Sequence, residues 1–272
     1  MNNKFEWNRF CRVVAKDFKN IWPTFGPTLI IITALPVAVW LLMLVIDVNH
    51  TGEMPAIWRS MMIGGLVELA AIMTPSRLYR TMNLRNEGIY FAMLPASKLE
   101  KFLSILLHTL IICPLIVLIG SYVVDFILWV LPFGSYAESI FSVDWADFSE
   151  FVDESELPTR YVWFWSLAGI IGNLATYLLF LFTATLFKNH KVLQTILWLW
   201  LISFVLSIIG MPIMTSYFSS DNFQVWVQTL VSNGLELETL MNWFSGLMLG
   251  FNTVLAVLFG WLSWRRLNRM PY

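Results

Sequence analysis

Four polar side chains fall inside stretches that are otherwise apolar: Glu68, His108, Asp125 and Asn173. Ionisable groups at membrane depth are costly, so each is a candidate for proton handling, substrate contact or helix pairing. Glu68 lies nine residues from Arg77, about 13 Å of helix, and His108 lies seven from Lys101, about 10 Å. On consecutive helices at similar depth, the two are expected to pair directly or through water. The competing role for Glu68 is a neutral or paired carboxyl that fixes helix contacts. Asp125 is expected near the outer headgroups, in a structural role.

Enzymatic chemistry has little to work with. There is no Gly-x-x-x-x-Gly-Lys-Ser/Thr run, no His-Glu-x-x-His, no Gly-x-Ser-x-Gly and no Cys-x-x-Cys. His50, His108 and His190 sit on separate elements and form no local ligand set. The expectation is therefore no catalytic residue, no metal site and no bound cofactor. Cys11 and Cys113 are expected as two separate thiols.

The elements that must carry these residues follow from composition. The chain is 58% hydrophobic and 13% charged, about half the charge of an ordinary soluble domain. Its 14 Trp and 21 Phe suit the layer where helices meet headgroups. A crossing takes roughly 20 mostly apolar residues. Six stretches qualify: 25–48, 57–79, 102–131, 161–187, 192–215 and 241–264. The fold expected is one all-α transmembrane domain over 1–272. The second stretch is interrupted by Glu68 and Pro75, and the third exceeds what a crossing needs. Gly246 and Gly250, spaced Gly-x-x-x-Gly, would permit close helix contact in the sixth.

Fifteen of the seventeen basic residues cluster at one set of helix ends, leaving Arg59 and Arg160 at the other. The positive-inside rule makes the basic side cytoplasmic, with both termini inside. Basic residues at membrane boundaries are thereby explained without nucleic acid. The polar, basic first twenty residues do not read as a cleavable signal peptide.

Outside the crossings, residues 1–24 place Phe10, Val14, Phe18 and Ile21 at helical spacing, with Arg9, Arg12, Lys16 and Lys19 in other directions. This predicts an amphipathic helix in the plane of the inner headgroups, leading into the first crossing at Pro23. The first outer loop carries seven acids against Arg160 alone, and Phe141, Trp145, Phe148 and Val152 form a helical stripe. Its charge either keeps a solvated helix outside or attracts cationic solutes. The second outer loop predicts short helices broken at Asn233-Gly234.

The connection after the second crossing reads NEGIYFAMLPASKLEKF from Asn86 to Phe102. Ser97 and Glu100 form a capping box that starts the third helix after a break at Pro95. Upstream, Asn86 caps a short helix carrying Ile89, Tyr90, Met93 and Leu94, whose apolar face needs a cover.

Glu87-Gly88, Leu94-Pro95-Ala96-Ser97-Lys98 and Glu100 resemble the loop between the second and third helices of type-two ABC transporter permeases. Ile105 stands where that family often has a basic residue. The resemblance implies six helices, an amino-terminal in-plane helix and a coupling helix at 86–94 that docks on a separate ATPase subunit, which holds ATP and Mg. Glu87, Gly88, Tyr90, Met93, Leu94, Pro95, Ser97 and Glu100 would be the coupling residues.

The expected function is the permease subunit of an ABC-type exporter in a bacterial plasma (inner) membrane, dimeric and surrounded by lipid. Rival readings are a non-transporting membrane scaffold or sensor, and a proton-coupled carrier using Glu68 and His108. The topology has a direct check: single cysteines at Asp144 and His190 should label from opposite sides with an impermeant thiol reagent in intact cells. Outside labelling at 190 would overturn the six-helix map.

Overall fold

The computed structural model describes residues 5–46, 54–78, 95–131, 136, 138–142, 159–187, 190–218, 225 and 237–269. These residues build an all-helical fold: α1 (Trp7–Ile46), α2 (Ala56–Leu78), α3 (Lys98–Val130), α4 (Thr159–Leu186), α5 (Lys191–Phe218) and α6 (Leu237–Arg269). All six contain stretches long and apolar enough to cross a membrane. The predicted coupling helix and most of both outer loops lie outside the described residues. A single 3₁₀ turn, Ile140–Ser142, is described in the first loop.

The leading helix departs from expectation. No break at Pro23 separates a surface helix from the first crossing, because α1 runs unbroken for 40 residues through Pro23, Pro27 and Pro36. At 1.5 Å per residue it is about 60 Å long, twice the hydrocarbon thickness. Its buried face, Phe10, Val13, Asp17, Ile21, Phe25, Leu29, Ile32 and Pro36, steps by three or four along most of that length. The stripe expected from sequence used Val14 and Phe18, each one residue on. One residue turns a helix by about 100°, so Phe18 and Trp22 remain exposed. The helix has apolar residues in two directions, and periodicity alone did not say which one meets protein.

The common core joins Phe25 and Leu29 of α1, Leu66 and Ala70 of α2, Ile105 and Val117 of α3, Leu178 and Leu181 of α4, and Ala256 of α6. α3 packs between α1 and α2, while α4 packs most extensively on α6. α5 lies against α4 and α2, and none of its described side chains belongs to that core. Its Trp198, Trp200 and Ile202 are exposed, as expected when lipid tails are as apolar as the side chains.

Gly246 and Gly250 do not mediate a close approach among the described residues, for nothing lies within 4 Å of a Cβ built on either. The close approaches are at Gly120, where a Cβ would come 2.8 Å from Thr33, and at Gly172, 3.1 Å from Asn252.

α3 changes pitch in its middle. Residues His108–Ile112 form a π-helical turn, and Cys113 N–H bonds the carbonyl of His108. Pro114 follows and has no N–H for the carbonyl of Leu110. Buried positions 105, 109, 113, 117, 121 and 125 advance by four. In a strict α-helix such positions would rotate about 40° per step. The wide turn takes up part of that drift and keeps one face inward.

At the end opposite most basic residues, Arg59 and Asp125 meet. Arg59 Nη1 donates to Asp125 Oδ2 at 2.8 Å, and both side chains are almost fully buried. Arg59 Nη2 donates to the carbonyl of Glu138, and the guanidinium lies 4.1 Å from the Tyr136 ring centroid. The partner of Asp125 is thus the basic residue that α2 carries at the same end. Breaking such a pair from one side strands a buried charge, so Arg59→Met or Asp125→Leu alone should cost about 3–5 kcal/mol. The double variant should recover most of that loss, as read by thermal unfolding of the purified chain in micelles.

Candidate functional site

The capping box predicted at the start of α3 is present. Ser97 Oγ accepts the Glu100 N–H at 3.2 Å, and Glu100 Oε2 accepts the Ser97 N–H at 2.8 Å. Pro95 is exposed just ahead of it. Glu87, Gly88, Tyr90, Met93 and Leu94 lie outside the described residues.

Glu100 does more than cap. Its carboxylate also receives Arg9 Nε at 2.9 Å, Arg9 Nη2 at 2.8 Å and the backbone N–H of Glu6 at 2.9 Å. A fully buried carboxylate is thereby satisfied from two chain segments over ninety residues apart. It lies ahead of the apolar stretch that opens at Phe102, and its carboxyl is held down to about 2. The hydrogen bond from Arg9 is the largest cause, opposed by burial and aided by the Glu6 and Ser97 amides. A depressed carboxylate contributes above its ordinary range, so this tie holds at neutral pH and is lost only as pH falls towards 2.

The same junction gathers α6. Lys98 Nζ donates to the carbonyl of Asn268 at 3.0 Å, and Phe102 meets Trp264 edge-on at 5.3 Å. Ile105, where a basic residue was noted as missing, is fully buried in the core, a place where a charge would be costly.

One turn further along α3, Ser104 Oγ donates to Asp17 Oδ2 at 2.6 Å, both groups buried. Lys101 is buried within electrostatic reach of Asp17. His108 is fully buried, stacked on Phe18 at 6.4 Å, with Nδ1 on the Ser104 carbonyl at 2.8 Å. A carbonyl only accepts, so Nδ1 carries a proton and donates it. Asp17 was missed in the sequence because it sits in a basic stretch and reads as a solvated charge.

Glu68 and His108 do not form the pair expected from their depth. His108 is committed to α1 and its own helix, whereas Glu68 Oε1 accepts a hydrogen bond from Asn173 Nδ2 of α4 at 3.0 Å. Distance from a helix end fixes depth but not direction round the axis. Two of the four intramembrane polar residues, Glu68 and Asn173, are therefore brought together; His108 and Asp125 face other partners. Among the described residues no group of three or more His, Cys, Asp or Glu is placed to hold a metal ion.

No family model, curated protein or solved structure matches the chain.

The double duty of Glu100 has a measurable consequence. Glu100→Ala should cost at least the roughly 1 kcal/mol of a lost cap. Hydrogen exchange should accelerate together at the starts of α1 and α3. Ser97→Ala should accelerate exchange at the start of α3 alone. Equal patterns for the two variants would show that Arg9 and Glu6 do not depend on this carboxylate.

Proposed function

We propose that the chain is the membrane-spanning permease subunit of an ABC-type exporter, paired with a second permease subunit and driven by separate ATPase subunits. The observation that carries this reading is the three-way junction at the start of α3. A connector that ends in Pro95 and the Ser97–Glu100 cap feeds directly into a helix tied to α1 through Arg9 and Glu6, and to α6 through Lys98. A push on such a connector is delivered to three helices at once.

In this reading residues 86–94 form a coupling helix on the cytoplasmic face, with ATP and Mg held by the partner subunit. The basic helix ends and both termini are cytoplasmic by the positive-inside rule. The first turns of α1, basic on one side and bearing exposed Trp7 and Trp22, ride at the inner headgroup layer of a bacterial plasma membrane. ATPase closure then shifts the bundle between two arrangements, which is where packed helices store a switch. The carrier reading loses its main support, because Glu68 and His108 have separate partners.

Tyr90 and Leu94 are the anchors to test, since aromatic and large apolar anchors at an interface centre commonly cost about 2 kcal/mol or more on truncation. Tyr90→Ala/Leu94→Ala should release a co-expressed ATPase on co-purification while the permease stays inserted. Retention of the ATPase at wild-type level would reduce the connector to a simple link and favour the scaffold.

A further inference from the structure

We propose that Glu68 and Asn173 form a mid-membrane binding site for an alkylammonium-type cation, the charged head of an otherwise apolar molecule. The site would name the cargo class of the exporter and rests on that reading for its role in transport, though not for binding itself.

Depth comes first. Glu68 stands about 18 Å from the start of α2 and about 15 Å from its end, and Asn173 about 20 Å from either end of α4. Both are therefore near the middle of their helices. A carboxylate so placed ordinarily faces a bundle interior, pairs with a cation or lines a water-filled cavity. Here it does otherwise: Glu68 and Asn173 both lie on the exposed surface of the chain. Among the described residues no basic side chain pairs with Glu68, unlike Glu100 with Arg9 and Asp125 with Arg59.

The local chemistry favours a cation with hydrogens to donate. The bond from Asn173 Nδ2 engages Oε1 of the Glu68 carboxyl group. Glu68 Oε2 and Asn173 Oδ1 then remain as acceptors on adjoining groups, which an ammonium with several N–H donors can satisfy together. Tyr177, one turn along α4 from Asn173, lies within electrostatic reach of Glu68.

The surroundings fit the apolar remainder. Gly64 and Gly65 on α2 and Gly169 on α4 have nothing within 4 Å of a Cβ position, leaving open space. Exposed Leu69 and Ile170 flank it. The seven acids of the first outer loop give the same sign preference at the far side of the membrane.

The test uses the full-length protein in lipid nanodiscs, with N,N′-dicyclohexylcarbodiimide as a membrane-soluble carboxyl label read by peptide mass spectrometry. Glu68 should label at pH 6, and Glu68→Gln should lose that adduct. Dodecylammonium should slow labelling about tenfold at concentrations where dodecanol, matched in chain length but uncharged, has little effect. Asn173→Leu should raise the half-protecting dodecylammonium concentration about tenfold; if that variant does not fold, the ammonium-to-alcohol comparison on the wild-type chain decides alone. A Glu68 that resists labelling would mean that protein, such as a second copy of the chain, covers it, and the proposal fails. Equal protection by amine and alcohol, or none by either, overturns it too. Loss of ATPase co-purification with cation protection intact would remove the exporter reading and leave the site. The converse result would remove only the site.

Discussion

Glu100 carries a constraint on which the base of the fold depends: a charged group withdrawn from solvent must have every acceptor direction filled, or it destabilises the structure that holds it. Its partners are Arg9, the amide of Glu6 and the amide of Ser97. One of these belongs to the cap that starts α3, and two belong to the beginning of α1. Satisfying one carboxylate therefore fixes where α3 begins and where α1 lies against it. Lys98 and Phe102, placed by the same cap, then contact the end of α6. A membrane bundle gains little from hiding apolar surface between helices, since lipid is equally apolar. Polar ties of this kind accordingly carry much of the orientational information.

The opposite end holds a second buried charged group, less completely filled: among the described residues Asp125 Oδ1 and Arg59 Nε have no hydrogen-bond partner. Arg59 and Asp125 neutralise one another, and the Glu138 carbonyl and Tyr136 ring take up more of the guanidinium. α3 is thus pinned at both ends, to α1 and α6 by the Glu100 junction and to α2 by the buried ion pair. Between the pins lie the π turn and His108, the one stretch of α3 with widened backbone geometry. Such turns allow a helix to change the face it presents without losing its hydrogen-bonded course.

What the residues announced beforehand divides along physical lines. The six helices were legible because apolar length is a local property, and the capping box was legible because its two members are three residues apart. Orientation around a helix axis was not. The depth argument put Glu68 beside His108, yet depth constrains only the axial coordinate, and the azimuth advances about 100° per residue. The same error displaced the buried face of α1 by one residue. The continuity of α1 through Pro23 was hidden because neighbouring helices can support a proline-containing helix. The partnership of Arg9 with Glu100 bridges more than ninety residues and has no local signature. Arg59 and Asp125 were more accessible, as opposite charges near the same end of consecutive helices.

These ties also divide the bundle unequally. α1, α2 and α3 are joined by the part-buried Arg9–Glu100 pair and the buried Asp17–Ser104 and Arg59–Asp125 contacts. α4 and α6 form the most extensive helix pair and share the Asn252–Ala168 hydrogen bond. Across the seam from α2 to α4 the contact is mostly small and aliphatic, with Ala70, Ala175 and Leu178 in the core. Its polar connection is the exposed bond between Glu68 and Asn173. Sliding one apolar surface on another in lipid forfeits close packing, whereas breaking a buried ion pair also strands charge. A shift between the two helix groups would therefore cost least along this seam, and would have to keep or break the Lys98–Asn268 contact that ties α3 to α6. It would change the separation of the two groups that offer acceptors to a cation, so occupancy of the site and the arrangement of the helices would be linked.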